Sequence, residues 1–419
     1  MNIYTYMVLS FIVLVYVIQT IADLLNVKNI TNTLPVEFEN YFDKEKYEKS
    51  QKYLKTNTNF SLISSTVTLF VQIIFVVLGG FNYVNNIAVS FGFGNIITGL
   101  IFANILLLIS EIIKIPFSLY SVFVIEEKFG FNRMSLKIFI SDWIKSRLIT
   151  LSIFSLVFTL ILQFFANFSD LAWFYAFITV IAFQLFLTFI APVAIMPLFN
   201  KYTPLEDGPL KTSIETYAKK EDFKMKGLFK MDNSKRSSKS NAFFTGFGKY
   251  RRIVLFDTLI HKHTVEELTS ILAHEMGHFK LGHIIKHIIF SFASTGLMLY
   301  ILSVFINKAW LYEAFLLNPQ PIYAGMVFFA FLYSPISLVL SVIGSYFSRK
   351  HEFEADAYAV TTYKHPKDMT NALKKLSVDN LSNLCPHKFK VFLEYSQPPV
   401  LDRINAIKNI KQINGNTCV

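Results

Sequence analysis

Ile271-Leu272-Ala273-His274-Glu275-Met276-Gly277-His278-Phe279 reads His-Glu-x-x-His, with an apolar run before it and a membrane-length apolar segment after it. On a helix, residues four apart share a face, so His274 and His278 can offer two imidazoles to one metal ion. Glu275 stands one position further round, where it can take a proton from a water beside that metal. The pattern is that of a zinc peptidase with Glu275 as general base and one Zn2+ per chain. The plainer alternative is a solvated amphipathic helix with two stray histidines.

The surroundings of the motif are apolar. Hydrophobic residues make up 53% of the 419 and charged residues 16%, where soluble proteins carry about a quarter charged. The excess falls in seven blocks, each judged against the roughly 20 residues that cross a bilayer. They lie near Tyr4–Ile21, Phe60–Phe81, from Gly94, Leu148–Phe168, Leu171–Phe199, Ile288–Ile306 and Pro321–Phe347. The first has neither a basic leader nor a small-residue cleavage site, so it is expected to be a retained span. Cys385 and Cys418 are too few for a disulfide framework or a cysteine zinc site. The ending Cys418-Val419 is too short for a prenylation box.

Charge sets an orientation. Six Lys/Arg lie between spans one and two, five between three and four, fifteen from Lys201 to His283, and eleven from Ser348 onward. The intervening loops hold only Lys308. By the positive-inside rule the amino terminus is expected outside, with the His-Glu-x-x-His stretch and the carboxyl terminus cytoplasmic. The net charge of +11 then answers to an anionic membrane surface and not to nucleic acid, for which no aromatic-basic motif is present. Span three carries Glu111 and Lys114, which can pair at i, i+3 or lie at the interface. Pro116 predicts a kink or break there.

The expected division is residues 1–200 as spans one to five, 201–283 as a cytoplasmic α+β insert, 284–347 as spans six and seven, and 348–419 as a cytoplasmic tail. Within the insert, Leu210–Lys220 reads as a short amphipathic helix and Gly227–Met231 as a strand. Asn241–Gly248 and Arg252–Phe256 read as a hairpin about a Gly-Lys-Tyr-Arg turn. Thr264-Val265-Glu266-Glu267 is a capping box. It starts the motif helix at about Val265, and that helix is expected to run on into span six.

Catalytic zinc takes a third protein ligand. After span seven comes Ser348-Arg349-Lys350-His351-Glu352-Phe353-Glu354-Ala355-Asp356. Glu352 and Asp356 share a helix face, so Glu352 can bind metal while Asp356 orients a ligand imidazole from behind. Spacing favours Glu352, and Glu354 stays a rival. His283 and His287 lie off the ligand face of an unbroken helix and are expected to be structural or interfacial.

With these blocks in hand, the chain resembles the type 1 CAAX prenyl proteases, integral-membrane zinc endopeptidases. The likeness rests on Pro116–Tyr120, Phe123–Lys128 with Gly130-Phe131-Asn132, Ser234–Ser238 with Ser240-Asn241-Ala242, and Arg252–Leu259. The zinc motif and Ser348-Arg349 with Glu352, Ala355 and Asp356 complete it. The resemblance spans essentially the whole chain. It implies an α-helical integral membrane protein, seven helices around an intramembrane chamber, with the zinc site on its cytoplasmic side. It implies Glu352 as third ligand, and Asn241, Ala242 and Phe243 as a strand that binds substrate backbone.

Two positions depart from the family. Tyr395-Ser396-Gln397-Pro398-Pro399 has Gln397 where the family commonly has His, and Gln397 can donate a hydrogen bond but carries no charge. Lys239 stands where eukaryotic members often have His. With the Ile/Asn/Lys-rich composition, this favours a bacterial inner membrane over an endoplasmic reticulum membrane. Arg403 is expected either to help bind substrate near the site or to be a surface residue of its helix. The expected partners are a peptide or protein substrate, prenylated or not, and membrane lipids. Rival functions are a membrane-protein quality-control protease and a transporter or lipid-handling protein with structural zinc.

Overall fold

In the computed structural model, residues 2–168, 170–246, 251–318 and 320–415 are described, the side chains of 411–415 excepted. Turn residues 248–250 and Cys418-Val419 lie outside them. Seven helices are long and apolar enough to cross a membrane: Ile3–Lys28, Lys44–Val77, Asn95–Phe129, Leu136–Asn167, Ala172–Leu198, His283–Phe305 and Ile322–Tyr363. Each overlaps one of the seven expected blocks. The helices overrun the apolar blocks because polar turns continue the helix into water; helix two begins at Asp43, whose side chain caps Lys46 N–H.

Span three stays helical through Pro116 to Tyr120, then relaxes into a π-helical turn over Ser121–Glu126. Glu111 takes its main partner from the neighbouring span: Arg147 Nη1 lies 2.8 Å away, Lys114 Nζ 3.5 Å.

Spans five and six are separated by the insert, whose sheet has the order β1-β2-β4-β3. Strands β1 (Tyr202–Pro204), β2 (Gly227–Met231), β3 (Ala242–Thr245) and β4 (Arg252–Phe256) lie as read in sequence for the last three. The expected hairpin is present, β3 antiparallel to β4 with Ala242 opposite Leu255; β2 runs parallel to β4. That leaves β3 as an edge strand. Arg236 Nε donates to Asp142 at 2.7 Å and Lys239 Nζ lies 3.0 Å from Glu126, tying the insert to the loop side of spans three and four.

The motif helix, Val265–Lys280, opens with the expected capping box between Thr264 and Glu267. Leu268, Leu272, Ala273 and Met276 are buried against the sheet and helix Pro209–Lys220. It does not run on into span six. The chain turns at Gly282 with φ +69°, and a new helix begins at His283. Glycine reaches that left-handed geometry without strain. Span seven is one helix of 42 residues, about 63 Å long. That is twice the hydrocarbon thickness, so its last turns stand clear of the membrane and carry His351, Glu352 and Asp356.

Spans one, three, four, six and seven enclose a cavity of about 730 Å³, walled mostly by side chains such as Val15, Leu106, Phe158 and Met298. A second cavity of about 550 Å³ shares Met298, Tyr333, Ser337 and Ser341 with it and extends past Ser345 and Ser348 to His287 and Ser396. Together they form a chamber that turns from apolar to polar toward the motif helix. Spans three and seven close one wall through Gly99, where an added Cβ would lie 2.7 Å from Tyr323 Cβ. Small residues at such crossings let membrane helices pack. Gly99→Val is expected to cost about 1–3 kcal/mol, read as a lower melting temperature in detergent. Gly94→Ala, with nothing within 4 Å of its Cβ, is the control and should melt as the parent does.

Candidate active site

The motif helix and span seven cross at Gly277. A Cβ there would sit 3.2 Å from Ala355 O and 3.2 Å from Tyr358 Cβ. Only a residue without a side chain lets the backbones approach this closely. The crossing sets Glu352 opposite the two motif histidines. His274 Nε2 and His278 Nε2 are 3.1 Å apart, Glu352 Oε2 is 3.4 Å from the first and Oε1 is 3.3 Å from the second.

The donor set fits a metal ion. Tetrahedral bonds of about 2.0–2.1 Å separate neighbouring donor atoms by about 3.3–3.4 Å; the two Nε2 atoms stand a little closer, at 3.1 Å, and each has one of the two Glu352 oxygens at 3.3–3.4 Å. Glu352 Oε2 is buried with no hydrogen bond among the described residues, although Arg403 Nη1 stands 3.2 Å away. A buried carboxylate oxygen without a hydrogen bond is costly unless a cation supplies the missing interaction.

Behind His274, Asp356 Oδ1 lies 2.8 Å from Nδ1. Asp356 is itself held by Arg403, whose Nε and Nη2 donate at 2.8 and 2.7 Å. Arg403 is buried, and its guanidinium is turned onto the Asp356 and Glu352 carboxylates. It therefore belongs to the interior of the site and is no surface residue. Burial alone pushes the His274 imidazole down; the Asp356 hydrogen bond and charge, then Glu352, outweigh it and lift it to about 9. The pocket is thus built to hold positive charge. Burial raises the Glu275 carboxyl above the usual carboxylate range, with the neighbouring His274 and His278 pulling the other way.

A second group of histidines adjoins the first. His283 Nδ1 lies 3.1 Å from His278 Nδ1, and His283 Nε2 lies 2.9 Å from Glu354 Oε2. Glu354, the rival ligand by sequence, thus faces His283 and not the His274–His278 pair. His351 stacks on His283 with ring centroids 4.1 Å apart, and its Nδ1 lies 3.2 Å from His287 Nε2. Sequence spacing missed His283 because helix angles were carried through Gly282, where the chain turns. The glycine just before a histidine was the available signal.

The remaining sequence candidates lie on β3 and on the loop before Val400. Phe244 of β3 approaches Phe279, one residue past His278, with centroids 6.2 Å apart. Asn241 is exposed, Ala242 buried and Phe243 half-buried. Asn380 grips Ser240 just before them, accepting from its N–H and donating to its carbonyl, both at 3.1 Å. Gln397 is exposed, on a loop fastened by Arg349 Nη1, which donates to the Val391 and Tyr395 carbonyls.

Known proteins share this architecture. A family model described as the CAAX prenyl protease N-terminal region, five membrane helices, matches residues 23–201, and one for peptidase family M48 matches residues 204–411. The CAAX prenyl protease 1 homolog of Mus musculus is 36% identical, over 91% of this chain and 90% of the relative. CAAX prenyl protease 1 of Saccharomyces cerevisiae is 33% identical over the same shares. The crystal structure of S. mikatae Ste24p superposes with a TM-score of 0.92 at 32% identity, covering 97% of this chain and 99% of that one. Seven membrane helices, an intramembrane chamber and a cluster of two imidazoles and a carboxylate at its polar end agree with that likeness, and the chain belongs to the CAAX prenyl proteases of peptidase family M48, membrane-embedded metalloendopeptidases.

Proposed function

We propose that His274, His278 and Glu352 hold a catalytic zinc ion and that Glu275 is the general base of peptide-bond hydrolysis at the polar end of the chamber. The observation that carries this reading is the convergence of two Nε2 atoms and one carboxylate beside the half-buried Glu275. Bound there, zinc would polarise the scissile carbonyl and acidify a water. Glu275 takes the proton of the attacking water and returns it to the leaving amine, a transfer favoured by its raised pKa. Asp356 accepts from His274 Nδ1–H and keeps Nε2 free for the metal. Arg403 keeps Asp356 ionised and in place, and lies close enough to Glu352 to fix its rotamer. Three protein donors among the described residues leave a coordination position for substrate or water, which favours catalytic over structural metal.

The edge strand β3 suits a peptide substrate. Asn241, Ala242 and Phe243 can pair an extended backbone beside the metal, with Gln397 a hydrogen-bond donor at the rim. The apolar part of the chamber suits a lipid chain, and CAAX-type carboxyl-terminal processing of a prenylated protein is the substrate class that combines both. A quality-control task would use the same chemistry. Charge alternation supports a cytoplasmic site and carboxyl terminus. A bacterial inner membrane rests on Lys239 and composition; the relatives named above are eukaryotic, and in such a host the endoplasmic reticulum membrane takes its place.

Glu275→Gln is expected to retain zinc by elemental analysis while losing on the order of 10²–10⁴-fold in kcat; unchanged turnover would sink the assignment. Chelation should abolish cleavage and added zinc restore it. Gly277→Val should drive span seven from the motif helix and lower bound zinc, with Gly277→Ala milder, because the Cβ contacts at 3.2 Å are with backbone and near-backbone atoms that cannot swing away. In paired assays, a farnesylated CAAX peptide should be cut faster than its unprenylated twin; equal rates would remove lipid recognition from this reading.

A further inference from the structure

We infer that His283 and Glu354 are positioning residues for His278, a relay that fixes its tautomer as Asp356 fixes that of His274. The inference rests on His274, His278 and Glu352 being the metal ligands. Hydrogen-bond bookkeeping along the chain of contacts carries it. A carboxylate oxygen accepts, so at 2.9 Å the proton between Glu354 and His283 sits on His283 Nε2. A neutral imidazole with Nε2–H has a lone pair on Nδ1. That lone pair faces His278 Nδ1 at 3.1 Å, so His278 must carry its proton on Nδ1. Its Nε2 is then unprotonated and aimed at His274 Nε2 and Glu352. Were His283 doubly protonated, it would donate to His278 as well and force a proton onto His278 Nε2, closing that nitrogen to a metal.

Packing holds the relay still. His283 is 1% exposed, and His351 lies flat against it, interplanar angle 12°. The turn at Gly282 swings His283 back under His278. The two ligand imidazoles are thus backed from opposite sides, one by a carboxylate directly, the other by a carboxylate through an intervening imidazole. Partners of this kind set ligand orientation and basicity.

His283, His351 and Glu354 also bring three donor atoms close together, which raises a second metal as the rival. The geometry points away from it. Stacked rings hold the lone pairs of His283 and His351 in nearly parallel planes, so they do not converge, and both nitrogens of His283 already face partners.

The test uses the full-length protein in detergent, with zinc affinity measured by competition against a chromogenic chelator and the ligand field read from Co2+ absorption. His283→Leu should weaken zinc about 10–100-fold and alter the Co2+ spectrum, while the metal-free melting temperature stays near the parent's. His283→Asn, whose amide oxygen can accept from His278 Nδ1–H, should recover part of the affinity. Zinc affinity of His283→Leu within twofold of the parent overturns the relay, as does an Asn variant no better than Leu. Two zinc equivalents in the parent, one of them lost in His283→Leu, would establish the second site instead and overturn it too. His274→Ala separates the levels. If it keeps full zinc, the ligand assignment falls and the relay with it; if it loses zinc while His283→Leu keeps it, the relay alone falls.

Discussion

The site depends on one helix crossing. Two histidines on the motif helix are a local matter, fixed by helix pitch. The carboxylate that completes the cluster comes from residue 352, and it can reach only if the two backbones nearly touch. Gly277 makes that contact, with Ala355 and Tyr358 on the other side. The cost of close approach is met by burial on both flanks, Leu272 and Met276 on the motif helix, Ala355 and Ala359 on span seven. A residue with a side chain at 277 would separate donors whose mutual distances already sit within a few tenths of an ångström of what a metal requires.

Charge holds what packing brings together. Glu352, Asp356, Arg403 and His274 are all buried, and each alone would be expensive there. Their sum is nearly neutral. Arg403 faces both carboxylates, Asp356 at 2.7 Å and Glu352 at 3.2 Å. That arrangement explains why a C-terminal helix, Val400–Gly415, far from the motif in sequence, is needed inside the site. It contributes no donor; it keeps a carboxylate behind His274 ionised and fixed. Removal of one buried charge from such a set leaves the others unpaired, so the group behaves as a unit.

Much of this was legible in sequence, because the strongest signals are physical constraints without alternatives. A bilayer admits only long apolar helices, and all seven were visible. Helix pitch pairs His274 with His278 and Glu352 with Asp356. The capping box marked the start of the motif helix. What stayed illegible turned on geometry at single residues. Spacing could not separate Glu352 from Glu354, since two residues on a helix differ by about 200° and either face can be inward until the crossing is known. Sequence left Arg403 between a substrate-binding place near the site and the helix surface, and burial against Asp356 and Glu352 decides for the site's interior. His283 stands beside His278 because the chain turns at Gly282, a turn that helix periodicity does not carry. For Glu111 sequence offered Lys114 on its own helix or an interfacial position; Lys114 lies at 3.5 Å, and the shorter contact, 2.8 Å, is to Arg147 on the next span.

The same long helix joins the chamber to the chemistry. Span seven lines the cavity with Ser334, Ser337 and Ser341 and, farther along, presents Glu352. A polar wall inside a membrane needs its donors satisfied. Ser334 and Ser341 meet that need by donating to the Phe331 and Leu338 carbonyls of their own helix, each at 2.8 Å. Their oxygens still face the cavity as acceptors. The wall can therefore accept hydrogen bonds from a peptide or from water without leaving unsatisfied groups when neither is present. Toward spans three and four the lining turns to Leu106 and Phe158, which offer only dispersion. A chain entering from the motif end thus meets hydrogen-bonding surface first and apolar surface beyond, in the order that a peptide attached to a lipid would need. One continuous helix thus both lines the chamber and carries Glu352.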